Sequence, residues 1–192
     1  MLQDALQFLL RIVCELAATA FWLRFYMQLN RVPYANSFAQ FIVKVTDFAV
    51  RPVRRVIPGF FGLDWASLLL FFLAEWLWSL ASYWLLGYPF MAASASAWLG
   101  FLLYTLAAGL NLIAYVFMAL VAAQAIVSWV NPFSPAAPVF YALARPLLRP
   151  FQRVIPPIGG IDLSPMAAFI ALQLLVIAPV AGLARYGRGL IG

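Results

Sequence analysis

The 192-residue sequence has no histidine, a single cysteine, and charged side chains at only 9% of its positions. Without histidine there is no Ser-His-Asp chemistry, no histidine-liganded zinc or haem, and no imidazole proton relay. With Cys14 alone there is no internal disulfide, CxxC pair or thiolate cluster, and its place inside an apolar run marks it as a small packing or lipid-facing residue. The scarcity of charge excludes more. A soluble domain carries about 25% charged and about half apolar residues, whereas here 66% of residues are apolar and 17% aromatic. So few polar groups cannot enclose so large an apolar share, and neither a soluble globule nor a disordered chain fits. No nucleophile–base pair and no metal-ligand set is visible, so neither enzymatic activity nor a cofactor or metal is expected.

What is present is apolar sequence in runs long enough to cross a bilayer, which takes about 20 residues at 1.5 Å rise each. The expected fold class is an all-α membrane protein with four transmembrane helices. The spans fall at about 5–28, 65–86, 106–130 and 163–184. The third lies within an apolar stretch, 98–130, that is longer than one span needs. Its productive part is read as Leu106 to Val130, preceded by a tilted or interfacial lead-in after the small-residue linker 92–97. A fifth span within that stretch is the alternative. A cleaved signal peptide does not fit the N-terminus, because no basic n-region precedes the apolar run and Arg11 and Glu15 interrupt it.

The 12 basic and 6 acidic residues leave a net charge of +6. In an apolar chain this reads as sorting against anionic lipid and not as nucleic-acid binding. Arg31, Lys44, Arg51, Arg54 and Arg55 lie in the loop after the first span, and Arg145, Arg149 and Arg153 in the loop after the third. The linker between the second and third spans has no basic residue. Four spans place both basic loops on one face, which the positive-inside rule makes cytoplasmic. A fifth span would separate them.

The two basic loops are copies. Val50 to Asp64 aligns without a gap on Leu148 to Asp162 at an offset of 98, and 8 of the 15 positions are identical. The shared pattern is R-P-x-x-R-V-I-P-x-x-x-G-x-D. The chain therefore reads as two tandem helix–basic loop–helix repeats, residues 1–90 with loop 30–64 and residues 91–192 with loop 131–162. With both loops on one face, the copies are parallel repeats about an axis along the membrane normal. Each loop opens on an amphipathic segment. In the first, Phe38, Phe41, Ile42, Val45 and Phe48 form a stripe suited either to the headgroup level or to packing on the bundle. The second stripe, Val139, Phe140, Leu143 and Leu147, is weaker and is expected to break at Pro146.

With these motifs the sequence resembles the YggT family of integral membrane proteins, with its YlmG group and plastid relatives. The resemblance rests on Arg51-Pro52-Val53-Arg54-Arg55-Val56-Ile57-Pro58, on Arg149-Pro150-Phe151-Gln152-Arg153-Val154-Ile155-Pro156 and on Gly159-Gly160-Ile161-Asp162-Leu163-Ser164-Pro165. Leu23-Arg24-Phe25 and Ser128-Trp129-Val130-Asn131-Pro132-Phe133 support it, and it extends from about Leu6 to Leu183. The first copy departs from the pattern, with Phe60-Phe61-Gly62 where a Gly-Gly pair is common and Ala66-Ser67 in place of Ser-Pro. The resemblance implies a bacterial inner-membrane protein without established enzymatic activity. Its relatives are associated with osmotic tolerance, cell division or nucleoid distribution, and assembly of a plastid cytochrome complex.

Three groups of residues are candidates for function. Arg51, Arg54, Arg55, Arg149 and Arg153 form a proline-shaped basic surface for anionic headgroups, at about 1 kcal/mol each near a charged membrane. A membrane-protein partner or another anionic ligand is the alternative. Asp64 and Asp162 precede spans and are suited to cap them; each is also placed to pair with the arginine nine residues earlier, Arg55 or Arg153. Pro165 is tolerated in the first turn it would occupy. Arg11, Glu15, Glu75 and Gln173 are polar groups at hydrocarbon depth, where such residues suggest a site. Arg11 and Glu15 are spaced to pair on one helix face. The offset of 98 puts Gln173 at the depth of Glu75, as expected if the even spans face a shared cavity. An offset of about 100 relates Arg11 to Asn111 and Arg24 to Gln124, with Arg24 shallow enough to snorkel. A polar clamp between helices is the structural alternative for this group. Ala119/Ala123 and Ala178/Gly182 have the spacing of helix contacts, within the chain or in an oligomer, and Pro179 is placed to kink the last span. The leading functional expectation is a non-enzymatic membrane scaffold or assembly factor. The alternative is a small transporter or channel using Glu75, Gln173, Glu15 and Arg11.

Overall fold

A computed structural model describes residues 1–32, 36–59, 62–156 and 162–192. Phe60 and Phe61 of the first motif copy, and residues 157–161 of the second with the Gly159-Gly160 pair, lie outside the described residues. The described chain is helical: α1 (Leu2–Leu29), α2 (Ser37–Val56), α3 (Trp65–Leu85), a short 3₁₀ turn (Phe90–Ala92), α4 (Ala95–Val130), α5 (Ala137–Val154), α6 (Ser164–Leu175), a π-helical turn (Val176–Val180) and α7 (Ala181–Ile191). Four helical stretches are long and apolar enough to cross a membrane: Leu2–Leu29, Trp65–Leu85, Ala95–Val130 and Ser164–Ile191. The outer stripes of these helices, such as Leu69, Leu73 and Leu77 on α3, stay exposed. That arrangement suits hydrocarbon, where burial in protein is not what shields an apolar side chain.

Sequence punctuation explains the helix ends. Asn36 caps α2 by accepting from the Phe38 N–H, and Ser94 caps α4 by accepting from the Ala97 N–H at 3.2 Å. At the end of α3 the Gly87 N–H donates to Trp84 O and the Tyr88 N–H to Tyr83 O. This is a Schellman closure whose left-handed residue is Gly87, at φ +79°. After α1 the same closure places Arg31 at φ +51°.

The expected lead-in to the third span gives way, and the alternative of a fifth span falls with it. Ala95 to Val130 forms one continuous helix of 36 residues, with no separate lead-in and no break for a fifth span. Between its Ser94 cap and Pro132 there is no proline, and alanine and leucine dominate, so nothing stops propagation. At 1.5 Å per residue it is about 54 Å long, well beyond a hydrocarbon core of about 30 Å. The fourth stretch also runs on past Ala184, to Ile191. Pro179 sits in its π-helical turn, where the wider ring of backbone bonds accommodates a residue with no N–H to give.

The break expected at Pro146 is absent as well: α5 continues through Pro146 and Pro150, as α2 does through Pro52. All three prolines are exposed, so the carbonyls they leave unbonded face solvent or headgroups and not the core. Both amphipathic helices pack on the bundle at its arginine-rich end. On α2, Ala39, Ile42, Thr46 and Val50 are buried while Phe41, Val45 and Phe48 are exposed. The expected stripe is thus divided between an inward face and an outward apolar face. Phe38 meets Phe140 of α5 at 5.6 Å between ring centroids, and the Tyr26 hydroxyl donates to Leu143 O at 3.0 Å. These contacts hold the two basic helices at one end of the molecule. The main core lies beneath them, where Trp22 and Tyr26 of α1 meet Phe71 of α3 and Phe117 of α4.

At the opposite end α4 and α7 approach very closely. A Cβ added to Gly100 would lie 2.6 Å from Gly187 O, and one added to Gly187 would lie 2.8 Å from the Tyr104 nitrogen. Only glycine permits such a crossing. The small-residue spacings in the sequence point elsewhere: Ala119 and Ala178 are exposed, and Gly182 has open space beside it.

Candidate functional site

The polar minority gathers into two places. The first is at the arginine-rich end, between α1, α2 and α3. Arg24 is buried, 4% exposed, and donates from Nη1 to Thr46 Oγ1 and Asp47 Oδ1, both at 2.8 Å, and to Val43 O at 3.2 Å. Its Nε lies 3.5 Å from Asp64 Oδ2. Arg54 grips the same carboxylate with two donors, Nε at 3.1 Å from Oδ1 and Nη2 on Oδ2. Arg51 pairs with Asp47 at 2.7 Å. Five charged groups from three helices form one network, with Thr46 and Ser67 buried inside it.

This geometry corrects two expectations. Arg24 does not snorkel outward, because two carboxylates compensate it inside the bundle. Asp64 pairs with Arg54 and Arg24, not with Arg55, since α2 stays helical past Pro52 and turns position 54 toward Asp64. Asp64 also caps α3, accepting from the Ser67 N–H at 3.3 Å and the Ser67 hydroxyl at 2.6 Å. In the second copy Asp162 is bonded by Gln152 Nε2 at 2.9 Å, not by Arg153, and by the Ser164 N–H at 2.8 Å.

The network sets the charge of its acids. The Asp47 carboxyl is held below its ordinary range, first by the Arg24 hydrogen bond, against some cost of burial. For Asp64 burial is the largest influence and pushes upward, but the hydrogen bonds from Arg54 and Ser67 with the Arg54 charge outweigh it, and the value falls below normal. Both are carboxylates at neutral pH. Arg55, Arg149 and Arg153 are exposed, and among the described residues none of them is in an ion pair.

The second place is at mid-depth. A cavity of about 590 Å³ is lined by Arg11, Glu15, Glu75, Tyr104, Asn111 and Arg188, together with apolar residues of α3, α4 and α7. Arg11 Nε donates to Glu15 Oε1 at 2.8 Å. Glu75 is 4% exposed and has no hydrogen-bond or ion-pair partner among the described residues. The Thr105 hydroxyl donates to Ser79 Oγ at 3.1 Å, fixing α4 against α3 one turn from Glu75.

Gln173 is not part of this cavity. It is exposed on α6, and the expected facing of the even spans does not occur because α4 stands between α3 and α6 and packs against both. Among the cavity residues that pattern reading did not single out are Tyr104, Tyr115 and Arg188. Arg188 sits after the last apolar run in the sequence, and only the antiparallel return of α7 along α4 brings it back. Cys14 is half-buried and unpaired. No group of three or more Cys, Asp or Glu residues suited to a metal ion occurs among the described residues.

The family model described as CCB3/YggT matches residues 3–85 and 103–182. An uncharacterized protein named YggT from Escherichia coli K12 is 36% identical over 173 residues, covering 90% of this chain and 87% of its own length. An uncharacterized protein of Pseudomonas aeruginosa is 36% identical over 164 residues, covering 84% of this chain and 81% of its own. A third, from Vibrio alginolyticus, is 34% identical over 172 residues, at 88% and 90% coverage. No solved structure matches the chain.

Proposed function

The chain belongs to the CCB3/YggT family, and from that premise we propose that it is a non-enzymatic scaffold or assembly factor of the bacterial inner membrane. Its arginine-rich end faces the cytoplasm and meets anionic headgroups, holding a membrane-protein partner at that surface; its cellular role lies in osmotic tolerance or cell division. The observation that carries this reading is the placement of α2 and α5. Each is pinned to the bundle by its inner face, and toward the ends of the two helices Arg55, Arg149 and Arg153 stay exposed, with no acidic partner among the described residues. An arginine that is not neutralised within its own protein is available to lipid phosphate or to a partner's carboxylate. Arg51 and Arg54 are committed to Asp47 and Asp64, so they brace the surface and the other three do the binding.

The test combines Arg55→Ala, Arg149→Ala and Arg153→Ala in one variant. At about 1 kcal/mol per arginine near an anionic surface, enrichment of phosphatidylglycerol over phosphatidylcholine around the purified protein should fall on the order of 100-fold. Crosslinks to native partners should fall with it, and growth under osmotic stress should be impaired, while Glu75→Gln leaves all three unchanged.

A second reading is favoured by a separate observation, the unpartnered Glu75 in its cavity. An ionisable group buried at hydrocarbon depth is a functional suspect, and a small transporter would use Glu75, Glu15 and Arg11 along its path. Solute flux in proteoliposomes that Glu75→Gln abolishes and the triple arginine variant leaves intact would replace the scaffold reading with this one.

A further inference from the structure

The two copies of the loop treat one carboxylate differently. Asp64 has two cations beside it, Arg54 from α2 and Arg24 from α1. At the offset of 98 the second copy keeps the acid as Asp162 but carries Gln152 in place of Arg54. At the offset of 100 that relates the first and third spans, Gln124 stands in place of Arg24. Two neutral amides thus replace two guanidinium groups. Gln152 and Ser164 still donate to Asp162, yet no cation pairs with it among the described residues. Burial pushes its pKa up, but the hydrogen bonds from Ser164 and Gln152 outweigh that and leave the carboxyl below its ordinary value.

Space has opened where the guanidinium is lost. A cavity of about 450 Å³ lies between α4 and α6, lined by Gln124, Ala125, Ser128, Asp162, Phe169 and Ile170. At the same offset, the buried rings of Trp22 and Phe25 are replaced by Ala122 and Ala125. Gln124 Oε1 is buried at this cavity without a hydrogen-bond partner among the described residues. Asp162 to Ile170 spans about 12 Å along the helix. The cavity therefore runs from a charged rim, at the start of the fourth span, to a floor that is apolar on the α6 side, with the Gln124 amide on the α4 side. Arg149, exposed and unpaired, lies three residues before Gln152 on the same side of α5.

We propose that this cavity binds one phospholipid whose headgroup carries a primary ammonium. The ammonium takes the place beside Asp162 that the Arg24 guanidinium takes beside Asp64. The lipid phosphate lies toward Arg149, and an acyl chain covers Phe169 and Ile170. A primary ammonium brings three N–H donors to a carboxylate and a neighbouring amide oxygen; a quaternary ammonium brings none, and phosphatidylglycerol brings no cation. The inference does not depend on the scaffold reading, since it requires only the cavity and its charge.

The test is native mass spectrometry and thermal unfolding of the full chain in neutral detergent, with equal amounts of phosphatidylethanolamine, phosphatidylcholine or phosphatidylglycerol. The share of retention that Asp162→Asn removes is expected to be at least fivefold greater for phosphatidylethanolamine than for either of the others, and phosphatidylethanolamine is expected to raise Tm. Asp162→Asn should bring its retention down to the phosphatidylcholine level. Gln124→Arg supplies a guanidinium within the chain, as Arg24 does, and should displace the lipid while raising Tm in its absence. Ala125→Phe, which restores the ring found at Phe25, should also empty the site in a folded protein. Equal retention of the amine and choline lipids, a preference for phosphatidylglycerol that Asp162→Asn abolishes, or undiminished phosphatidylethanolamine binding by folded Gln124→Arg and Ala125→Phe proteins would each overturn the proposal.

Discussion

Arg24 shows how a charge in an apolar helix is tolerated. Its guanidinium would be costly in hydrocarbon alone, yet two carboxylates, a hydroxyl and a backbone carbonyl surround it. Removing one member of such a buried group leaves the others uncompensated, at a cost of about 3–5 kcal/mol. Arg24→Ala should therefore lower the thermal midpoint of the purified protein by many degrees, whereas Arg55→Ala, outside the network, should leave it nearly unchanged. The pH dependence follows from the same contacts. Asp47 and Asp64 both have lowered folded values, so the stability they contribute is complete above the unfolded carboxylate pKa of about 4. It is lost as pH falls through the folded values. A Tm profile of the wild type should hold level from pH 7 to about pH 5 and drop on further acidification. The Arg24→Ala profile should start lower and drop less; an equal acid drop in both proteins would refute the assignment. Little of this network was legible in the sequence. The motif marks Asp64 and the arginines as important, but Arg24 and Asp47 are 23 positions apart and meet only because α2 folds back onto α1. Choosing Arg54 over Arg55 needs the helical register of α2 through Pro52.

Among the elements, the four spans and the two amphipathic helices could be read from apolar length and 3.6-residue periodicity, because lipid leaves each helix to satisfy its own backbone. Their ends and contacts could not. Pro146 reads in the sequence as a break in α5, and the break is absent because an exposed helix face leaves the freed carbonyl accessible. The tightest contact, Gly100 with Gly187, joins residues on different helices, so no spacing rule within one helix reveals it. A methyl group at either glycine meets backbone at 2.6–2.8 Å, and backbone cannot move aside as a flexible side chain can. Gly187→Ala should destabilise by about 1–3 kcal/mol, the usual cost of overpacking. It should also loosen the Tyr88 hydroxyl bond to Ile191 O, 3.0 Å long at this end of the bundle. Gly182→Ala, one turn and a half earlier with open space beside it, should be neutral or slightly stabilising, since alanine is the better helix former. Chemical or thermal unfolding of the two variants side by side checks the pair. Equal effects would mean that helix propensity, and not close approach, governs α7.

At the scale of the whole molecule, the duplication preserves a plan and not its chemistry. In both copies a long apolar helix leads to an amphipathic helix and then to another span, and contacts between the two copies hold both amphipathic helices at one end. The ion network, by contrast, is built only around Asp64; the matching region beside Asp162 has neutral amides and a cavity. The offset of about 100 relates Asn111 to Arg11, and both line the mid-depth cavity. The offset of 98 misplaced Gln173, because equal depth in two helices says nothing about which faces meet, and α4 intervenes. The arrangement makes one demand on orientation. Arg55 lies in the last turn of α2 and Arg153 in that of α5, at the arginine-rich end, while Ser96 lies in the first turn of α4 and is exposed near the close approach of α4 and α7. With Cys14 replaced by alanine, the variants Arg55→Cys and Arg153→Cys should react with an impermeant thiol reagent from the same side of sealed vesicles. Ser96→Cys should react only from the other. An odd number of crossings between the basic helices would instead split Arg55 from Arg153, and labelling of all three from one side would mean that α4 does not cross at all.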